Sequence, residues 1–152
     1  MRDKEELLKI SDHIYYEFSM FVSLVLEMTK GYPPGTINNA MLQSFALHVR
    51  NLIDFLYNDS HNSDDVYAGD FFKDPTRWLS VRKAITPELS KAKKRVNKEV
   101  AHLTYSRLKV LPADKKWAFV NLSNEMIAVF DPFITNVNRG LLDPRWSNFF
   151  KF

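Results

Sequence analysis

The sequence predicts an all-α protein: an antiparallel four-helix bundle with one additional short helix and an aromatic C-terminal tail. Apolar residues recur at spacings of three and four in four long segments, and no segment alternates like a strand. With only four glycines in 152 residues, a turn-rich β fold is disfavoured. Helices with one apolar stripe bury it against one another. We therefore expect one domain, residues 1–152, with the tail 139–152 docked on the bundle or on a partner subunit.

The first two helices are long and clearly bounded. Helix one is predicted over roughly residues 3–30 and ends at "GYPPG"; its apolar face comprises Leu7, Ile10, Ile14, Phe18, Phe21 and Val25. Thr36 is expected to cap helix two, which ends at "YNDSHNSDD" and whose apolar face comprises Leu42, Phe45, Val49, Ile53 and Leu56.

Capping residues before prolines mark the later helices. Residues 58–73 are predicted to form a polar loop, after which Asp74 and Pro75 begin a short helix. Thr86 and Pro87 begin the third long helix, whose core stripe is predicted as Leu89, Ala92, Val96, Val100 and Leu103. Asp114 is expected to cap the last helix, in which Pro132 introduces a kink and the apolar positions are Trp117, Val120, Met126, Phe130, Phe133 and Val137.

Composition excludes several classes of protein. The chain has no cysteine, so disulfides, thiolate nucleophiles and cysteine-bound metals are ruled out. Its charged N-terminus does not resemble a secretory signal, and the longest apolar run, "FSMFVSLVL", is far shorter than the ~20 residues of a membrane span. We expect a cytoplasmic protein that does not enter the membrane.

Positive charge is concentrated in one segment, Lys91–Lys109. It holds seven basic residues and a single acid, a net +6, whereas the whole chain carries +3. The remainder of the chain is therefore acidic, and the basic segment should attract phosphate groups without sequence specificity. The alternative interpretation is a solvated helix face with no ligand.

Arg95 and His102 are seven residues apart on this predicted helix. An ideal helix places them about 20° apart around its axis and about 10 Å apart along it, beside the core stripe. Histidine can move a proton near neutral pH, and the arginine guanidinium binds phosphate oxygens with two donors. Structural alternatives are a contact of His102 with C-terminal carbonyls and a surface ion pair for Arg95.

The segment "RVNKEVAH", Arg95 to His102, resembles the Arg-x4-6-His signature of HEPN domains, helical bundles found in RNA-cleaving toxins and antiviral effectors. The resemblance implies catalytic positions at Arg95, His102 and Asn97, and a homodimer in which two copies complete a ribonuclease site without metal or cofactor. It also implies RNA as substrate and an antitoxin protein as a further partner.

The remaining basic residues near this motif are candidate RNA contacts: Lys91, Lys93, Lys94, Lys98, Arg107 and Arg50. Arg50 is alternatively paired with Asp54 within helix two. The loop residues His61, Asp64, Asp65 and Asp70 lack a defensible metal-ligand spacing and are expected to be solvated. The functions open at this point are a metal-independent endoribonuclease, a noncatalytic RNA- or nucleotide-binding module, and a helical protein-interaction adaptor.

Overall fold

Helices account for the regular structure of the chain. The computed structural model describes residues 2–58, 62, 64–101, 103–111 and 116–151. Within these ranges the α-helices are α1 (Lys4–Thr29), α2 (Thr36–Tyr57), α3 (Pro75–Val81), α4 (Pro87–Arg95) and α5 (Phe119–Asn136). The shorter elements are a π-helical turn at Val96–Ala101 and 3-10 turns at Ala68–Phe71, Tyr105–Lys109, Arg139–Leu141 and Pro144–Lys151. No strand occurs in the described ranges, which confirms the all-α prediction, and none of their helices is both long and apolar enough to cross a bilayer.

Two helix starts have the predicted capping chemistry. Asp74 precedes Pro75 and accepts a hydrogen bond from the backbone N–H of Thr76. Thr86 precedes Pro87, and its hydroxyl oxygen accepts a hydrogen bond from the backbone N–H of Leu89 at 3.2 Å. Each bond satisfies an N–H that the first helical turn leaves without a partner.

The other two predicted N-caps, Thr36 and Asp114, are not confirmed. Thr36 is not a cap, because it is the first residue of α2, and Gly35 occupies the N-cap position without a side-chain bond. Asp114 lies outside the described residues, and α5 begins at Phe119, later than predicted.

Two phenylalanines of α5, Phe130 and Phe133, organise the core. The ring of Phe133 lies 5.0 to 6.2 Å, centroid to centroid, from the rings of Phe55, Phe71, Phe72, Trp78 and Phe130. Phe130 in turn lies 4.6 Å from Phe18 and 5.8 Å from Trp146. Such pairs stabilise a core by about 0.5–1.5 kcal/mol each beyond the area they bury. Through these rings α5 contacts α1, α2, α3 and the C-terminal tail.

Part of the connection between α2 and α3 belongs to the core, although its polar sequence predicts an irregular loop. Tyr67, Ala68, Phe71 and Phe72 are all buried. The backbone N–H of Tyr67 donates to Asp70 Oδ2 at 3.0 Å, which fixes the 3-10 turn. A single turn is too short to show a helical period, so the pattern of residues did not reveal it.

The basic segment is not the single α-helix that its spacing predicts. The α-helix ends at Arg95, the wider π-helical turn follows, and a 3-10 turn begins at Tyr105. The predicted core stripe therefore holds for Leu89, Ala92 and Val96, which are buried. It fails at Leu103, which is 90% exposed.

Side chains take up the carbonyl groups that this early helix end leaves free. The Thr104 hydroxyl donates to the carbonyl oxygen of Lys98 at 2.8 Å. Arg107 Nη2 donates to the carbonyl oxygen of Val100 at 3.3 Å. Because both bonds run backwards along the chain, they hold residues 104–107 against the π-helical turn.

The C-terminal tail packs on α1 through Trp146. Its indole N–H donates to the carbonyl oxygen of Ser11 at 3.2 Å, and the Ser11 hydroxyl oxygen accepts from the backbone N–H of Asp143 at 2.6 Å. Trp146 is only 1% exposed. Phe152 and the side chains of Phe149 and Phe150 lie outside the described part of the tail.

The helix α5 continues through Pro132. Proline has no N–H, so the carbonyl of Ala128, four residues earlier, loses its helical partner. Lys83 Nζ, from the connection between α3 and α4, donates to that carbonyl oxygen at 2.9 Å. Val120, predicted as a core residue of this helix, is instead 45% exposed.

Replacing the central ring should show how far the fold depends on it. We expect Phe133→Ala to lower the free energy of unfolding by about 3–5 kcal/mol, because it removes a fully buried ring from five aromatic neighbours. Urea unfolding followed by circular dichroism measures the change. The control is Ile127→Ala on the same helix. Ile127 is 46% exposed, so its replacement should lower the free energy of unfolding by about 0.5 kcal/mol or less. Equal effects of the two substitutions would contradict this description of the core.

Candidate functional site

Arg95 is held in place by three different interactions. Its Nε donates to both carboxylate oxygens of Glu99, at 3.0 and 3.1 Å, and its Nη1 donates to the carbonyl oxygen of Lys116 at 3.0 Å. The guanidinium lies over the Trp117 ring, 4.1 Å from its centroid. Arg95 does form the ion pair considered as an alternative, but the pair is four-fifths buried and not at the surface. The guanidinium therefore has one fixed orientation.

A cavity of about 270 Å³ lies beside Arg95, and we name it the arginine cavity. Its described lining includes Leu42 and Gln43 of α2, Arg95 and Glu99, Arg107 of the 3-10 turn, and Trp117. Two guanidinium groups face one carboxylate there, so the lining has a net positive charge. The cavity combines the predicted phosphate ligand Arg95 with Arg107, which was predicted only as a surface contact to RNA.

A second cavity, of about 330 Å³, is also lined by Arg95. Its charged lining mixes Lys91 and Lys116 with Glu88 and Glu125. Glu125 also accepts a hydrogen bond from the capping Thr86 hydroxyl. With Arg95 the described lining holds three bases and two acids, the same net charge as that of the arginine cavity, but it offers one guanidinium group where the arginine cavity offers two.

The predicted RNA-contacting lysines fall into two groups. Lys93 pairs with Asp54, with Nζ 2.6 Å from Oδ1, and Arg50 approaches the other oxygen of the same carboxylate at 3.5 Å. Lys91, Lys94 and Lys98 are exposed and form no ion pair with any described residue. The intrahelical alternative for Arg50 is therefore present, and three of the lysines are available to a phosphate backbone.

Of the three residues of the HEPN-like motif, the structure describes Arg95 and Asn97, and it places only Arg95 in the lining of the arginine cavity. Asn97 lies in the π-helical turn, is not part of the arginine-cavity lining, and its buried Oδ1 has no hydrogen-bond donor among the described residues. His102 lies outside the described residues. It is two positions along the sequence from Val100, which lines the arginine cavity.

The acidic loop residues show no metal-binding arrangement. Asp65 accepts hydrogen bonds from Asn62 and Tyr67, and Asp70 accepts one from the Tyr67 backbone. His61 lies outside the described residues, and within the remainder no group of three ligating side chains is placed to hold a metal ion.

A buried polar pair between α1 and α2 went unnoticed in the sequence. His48 is 6% exposed, and its Nδ1 donates to Glu17 Oε2 at 2.7 Å, while Asn51 Nδ2 donates to the same oxygen at 3.1 Å. A signal was available, because Glu17 follows Ile14 and His48 follows Phe45 at the spacing of each apolar stripe. Polar residues at stripe positions indicate a buried hydrogen bond between the two helices.

The pKa of Glu17 is lowered more by its hydrogen-bonding partners than it is raised by burial. Burial by itself would raise the pKa of the Glu17 carboxyl, but the hydrogen bonds from His48 and Asn51 lower it by more, so that the pKa lies below its ordinary value of 4.5. Between the folded-state pKa and 4.5, the unfolded chain therefore binds more protons than the folded chain. The stabilisation from Glu17 is therefore complete above pH 4.5 and is lost as the pH falls through the lower folded-state pKa.

We expect Glu17→Gln to reduce this dependence on pH. The variant should lose about 1 kcal/mol at neutral pH, because neutral hydrogen bonds replace charge-assisted ones. Below pH 4.5 its free energy of unfolding should fall less steeply than that of the unsubstituted protein. Urea unfolding between pH 3 and 7 is the measurement, with Glu5→Gln on the exposed face of α1 as the control. Parallel pH profiles for Glu17→Gln and the unsubstituted protein would refute the assignment.

Comparison with known proteins adds no assignment. No family model matches the chain, and no curated protein or solved structure matches it significantly. The HEPN resemblance therefore remains a prediction based on the spacing of Arg95 and His102. Any function has to be argued from the side chains and the cavity described above.

Proposed function

We propose that this protein binds single-stranded RNA along its basic segment and cleaves it without a metal ion, as a HEPN-like endoribonuclease. The observation that carries the proposal is that two kinds of cation, exposed lysines and the arginines of the arginine cavity, lie close to His102 in the sequence. The exposed Lys91, Lys94 and Lys98, which have no ion-pair partner among the described residues, provide long-range attraction. Arg95 and Arg107 provide fixed guanidinium groups at the wall of one cavity.

The chemistry of RNA cleavage assigns a role to each group. A base removes the proton from a 2′-hydroxyl, the 2′ oxygen attacks the adjacent phosphorus, and the 5′ oxygen leaves with a proton from an acid. In the proposal His102 transfers the protons, and Arg95 stabilises the negative charge that develops on the phosphate oxygens. One histidine cannot act as base and acid in the same step. The proposal therefore includes a homodimer of two antiparallel bundles, which supplies two copies of His102.

A protein-interaction adaptor is the second candidate, and one observation favours it. Four large apolar residues in one short segment are strongly exposed: Leu103, Tyr105, Leu108 and Leu111, at 90, 90, 84 and 64%. Clustered exposed apolar side chains are typical of contact surfaces. The same surface fits the dimer of the first proposal, and Tyr105 there can also stack on an RNA base.

The decisive experiment is cleavage of RNA in the presence of a chelator. We expect the purified protein to cut single-stranded RNA in EDTA and to leave DNA of the same sequence intact, because DNA lacks the attacking 2′-hydroxyl. His102→Ala should lower the rate roughly 10²-fold or more, the usual contribution of a general acid or base, without changing the helical circular dichroism spectrum.

The outcomes separate the candidates. If His102→Ala retains full activity, the proposed chemistry is wrong. If the unsubstituted protein binds RNA and never cuts it, the noncatalytic binding module replaces the ribonuclease. If it neither binds nor cuts RNA, the adaptor becomes the better interpretation. Analytical ultracentrifugation at tens of micromolar protein, an estimate from ordinary interface affinities, tests the dimer independently.

A matched pair of lysines tests the binding surface. Lys94→Ala should weaken RNA binding and reduce the slope of log affinity against log salt by about 0.7, the value for one lost contact to a single strand. Lys93→Ala should change that slope less, because Lys93 is already paired with Asp54. Fluorescence anisotropy of a labelled, uncleavable 2′-O-methyl RNA at several salt concentrations measures both slopes. A larger loss for Lys93→Ala would contradict the proposed surface.

A further inference from the structure

Two buried donor atoms near the arginine cavity lack acceptors. Arg95 Nη2 and Arg107 Nε are both inaccessible to solvent and have no hydrogen-bond partner within the described ranges. Leaving such a buried donor unsatisfied destabilises the protein, and more so when the group is charged. Both residues line the same cavity, so one ligand with several acceptor oxygens satisfies both nitrogens when the protein atoms that cover them move aside.

The two guanidinium groups are already oriented for such a ligand. Glu99, the Lys116 carbonyl and the Trp117 ring fix Arg95, as described above. Arg107 is held by its bond from Nη2 to the carbonyl oxygen of Val100. A ligand therefore does not have to order either side chain, which lowers the entropic cost of binding.

Charge and size define the class of ligand. Two guanidinium groups against Glu99 leave the lining with a single net positive charge, which favours an anion over a cation. A cavity of about 270 Å³ is at the small end of the usual range for ligand sites, so it suits one phosphate with part of a nucleoside. A terminal phosphate monoester presents three free acceptor oxygens, whereas an internal phosphodiester presents two. The monoester is therefore the better match to two guanidinium groups.

We infer that the arginine cavity is a binding site for a terminal phosphate monoester, at the end of an RNA strand or on a mononucleotide. The inference rests on the proposed function for its choice of RNA, and it adds Arg107 as the second phosphate ligand. In the proposed cleavage the cavity holds the reacting phosphodiester first. Attack by the 2′ oxygen leaves a 2′,3′-cyclic phosphate, and a water molecule that breaks the new P–O2′ bond leaves the 3′-phosphate that the cavity retains. The protein is then inhibited by its own product.

Binding of chemically defined RNA ends tests the site without requiring cleavage. The probes are one labelled 2′-O-methyl octamer with a 3′-phosphate, a 5′-phosphate or hydroxyl ends, and uridine monophosphate as competitor. A terminal phosphate should strengthen binding about tenfold or more over hydroxyl ends, the effect of one charge-assisted hydrogen bond. The gain should shrink below about pH 6, where the monoester takes up a proton. Whichever end gives the gain identifies the source of the phosphate.

Substitutions of Arg107 provide the specific readout. Arg107→Gln should abolish the gain, and Arg107→Lys should lose most of it, because lysine keeps the charge without the fork of donors. Lys109→Ala, an exposed cation on the same 3-10 turn, should keep the gain while weakening all probes equally. Circular dichroism verifies that each variant is folded.

Two results would overturn the inference. One is equal affinity of the unsubstituted protein for phosphate and hydroxyl ends. The other is a full phosphate gain in folded Arg107→Gln. Neither result bears on whether the protein binds and cleaves RNA. Conversely, a protein that gains affinity from a terminal phosphate but does not cleave RNA would refute the proposed ribonuclease function and support the phosphate site.

Discussion

The packing of Phe133 against five other aromatic rings is the constraint on which the remaining structure depends. It places α5 in contact with α2, α3 and the 3-10 turn between them, and Phe130 extends the cluster to α1 and the tail. The shorter α4 docks on this frame through Leu89 and Ala92, and the π-helical turn continues the buried stripe with Val96. Arg95 directly precedes Val96, so the packing fixes its backbone, and Glu99, Lys116 and Trp117 orient its guanidinium.

The sequence predicted the helices well where local chemistry decides their ends, as at Asp74 and Thr86. It failed where contacts distant in sequence decide. The α-helix stops at Arg95, whose guanidinium reaches Trp117 and the Lys116 carbonyl, and the carbonyls beyond it bond to side chains of the following turn. A helical wheel assumes 100° per residue and cannot anticipate a π-helical turn, so Leu103 was assigned to the core although it is exposed.

The sequence predicts the positive charge of the candidate site, but not which of its cations pair with acids or share a cavity. Counting residues located the basic segment, yet only the structure shows that Lys93 is neutralised by Asp54 while Lys94, one position later, is not. Arg107 was weighted equally with the surface lysines, because nothing in the sequence indicates that it shares a cavity with Arg95. The partnership of His48 with Glu17 joins residues 31 positions apart, which no local pattern specifies, although each residue interrupts an apolar stripe.

Two cations, Arg107 and Lys109, lie among the exposed leucines and tyrosine of residues 103–111, and under the proposed function this arrangement would link RNA binding to pairing of two copies. Between free copies of the protein, the charges of Arg107 and Lys109 oppose the approach of these apolar side chains to one another. A bound polyanion cancels that repulsion while the apolar surface remains. Under the proposed function, bound RNA would lower the electrostatic barrier to pairing, and by thermodynamic reciprocity a pair would hold the polyanion more tightly than a single copy would. In the proposed dimer, assembly and ligand binding would therefore be coupled without any change in the conformation of the helices.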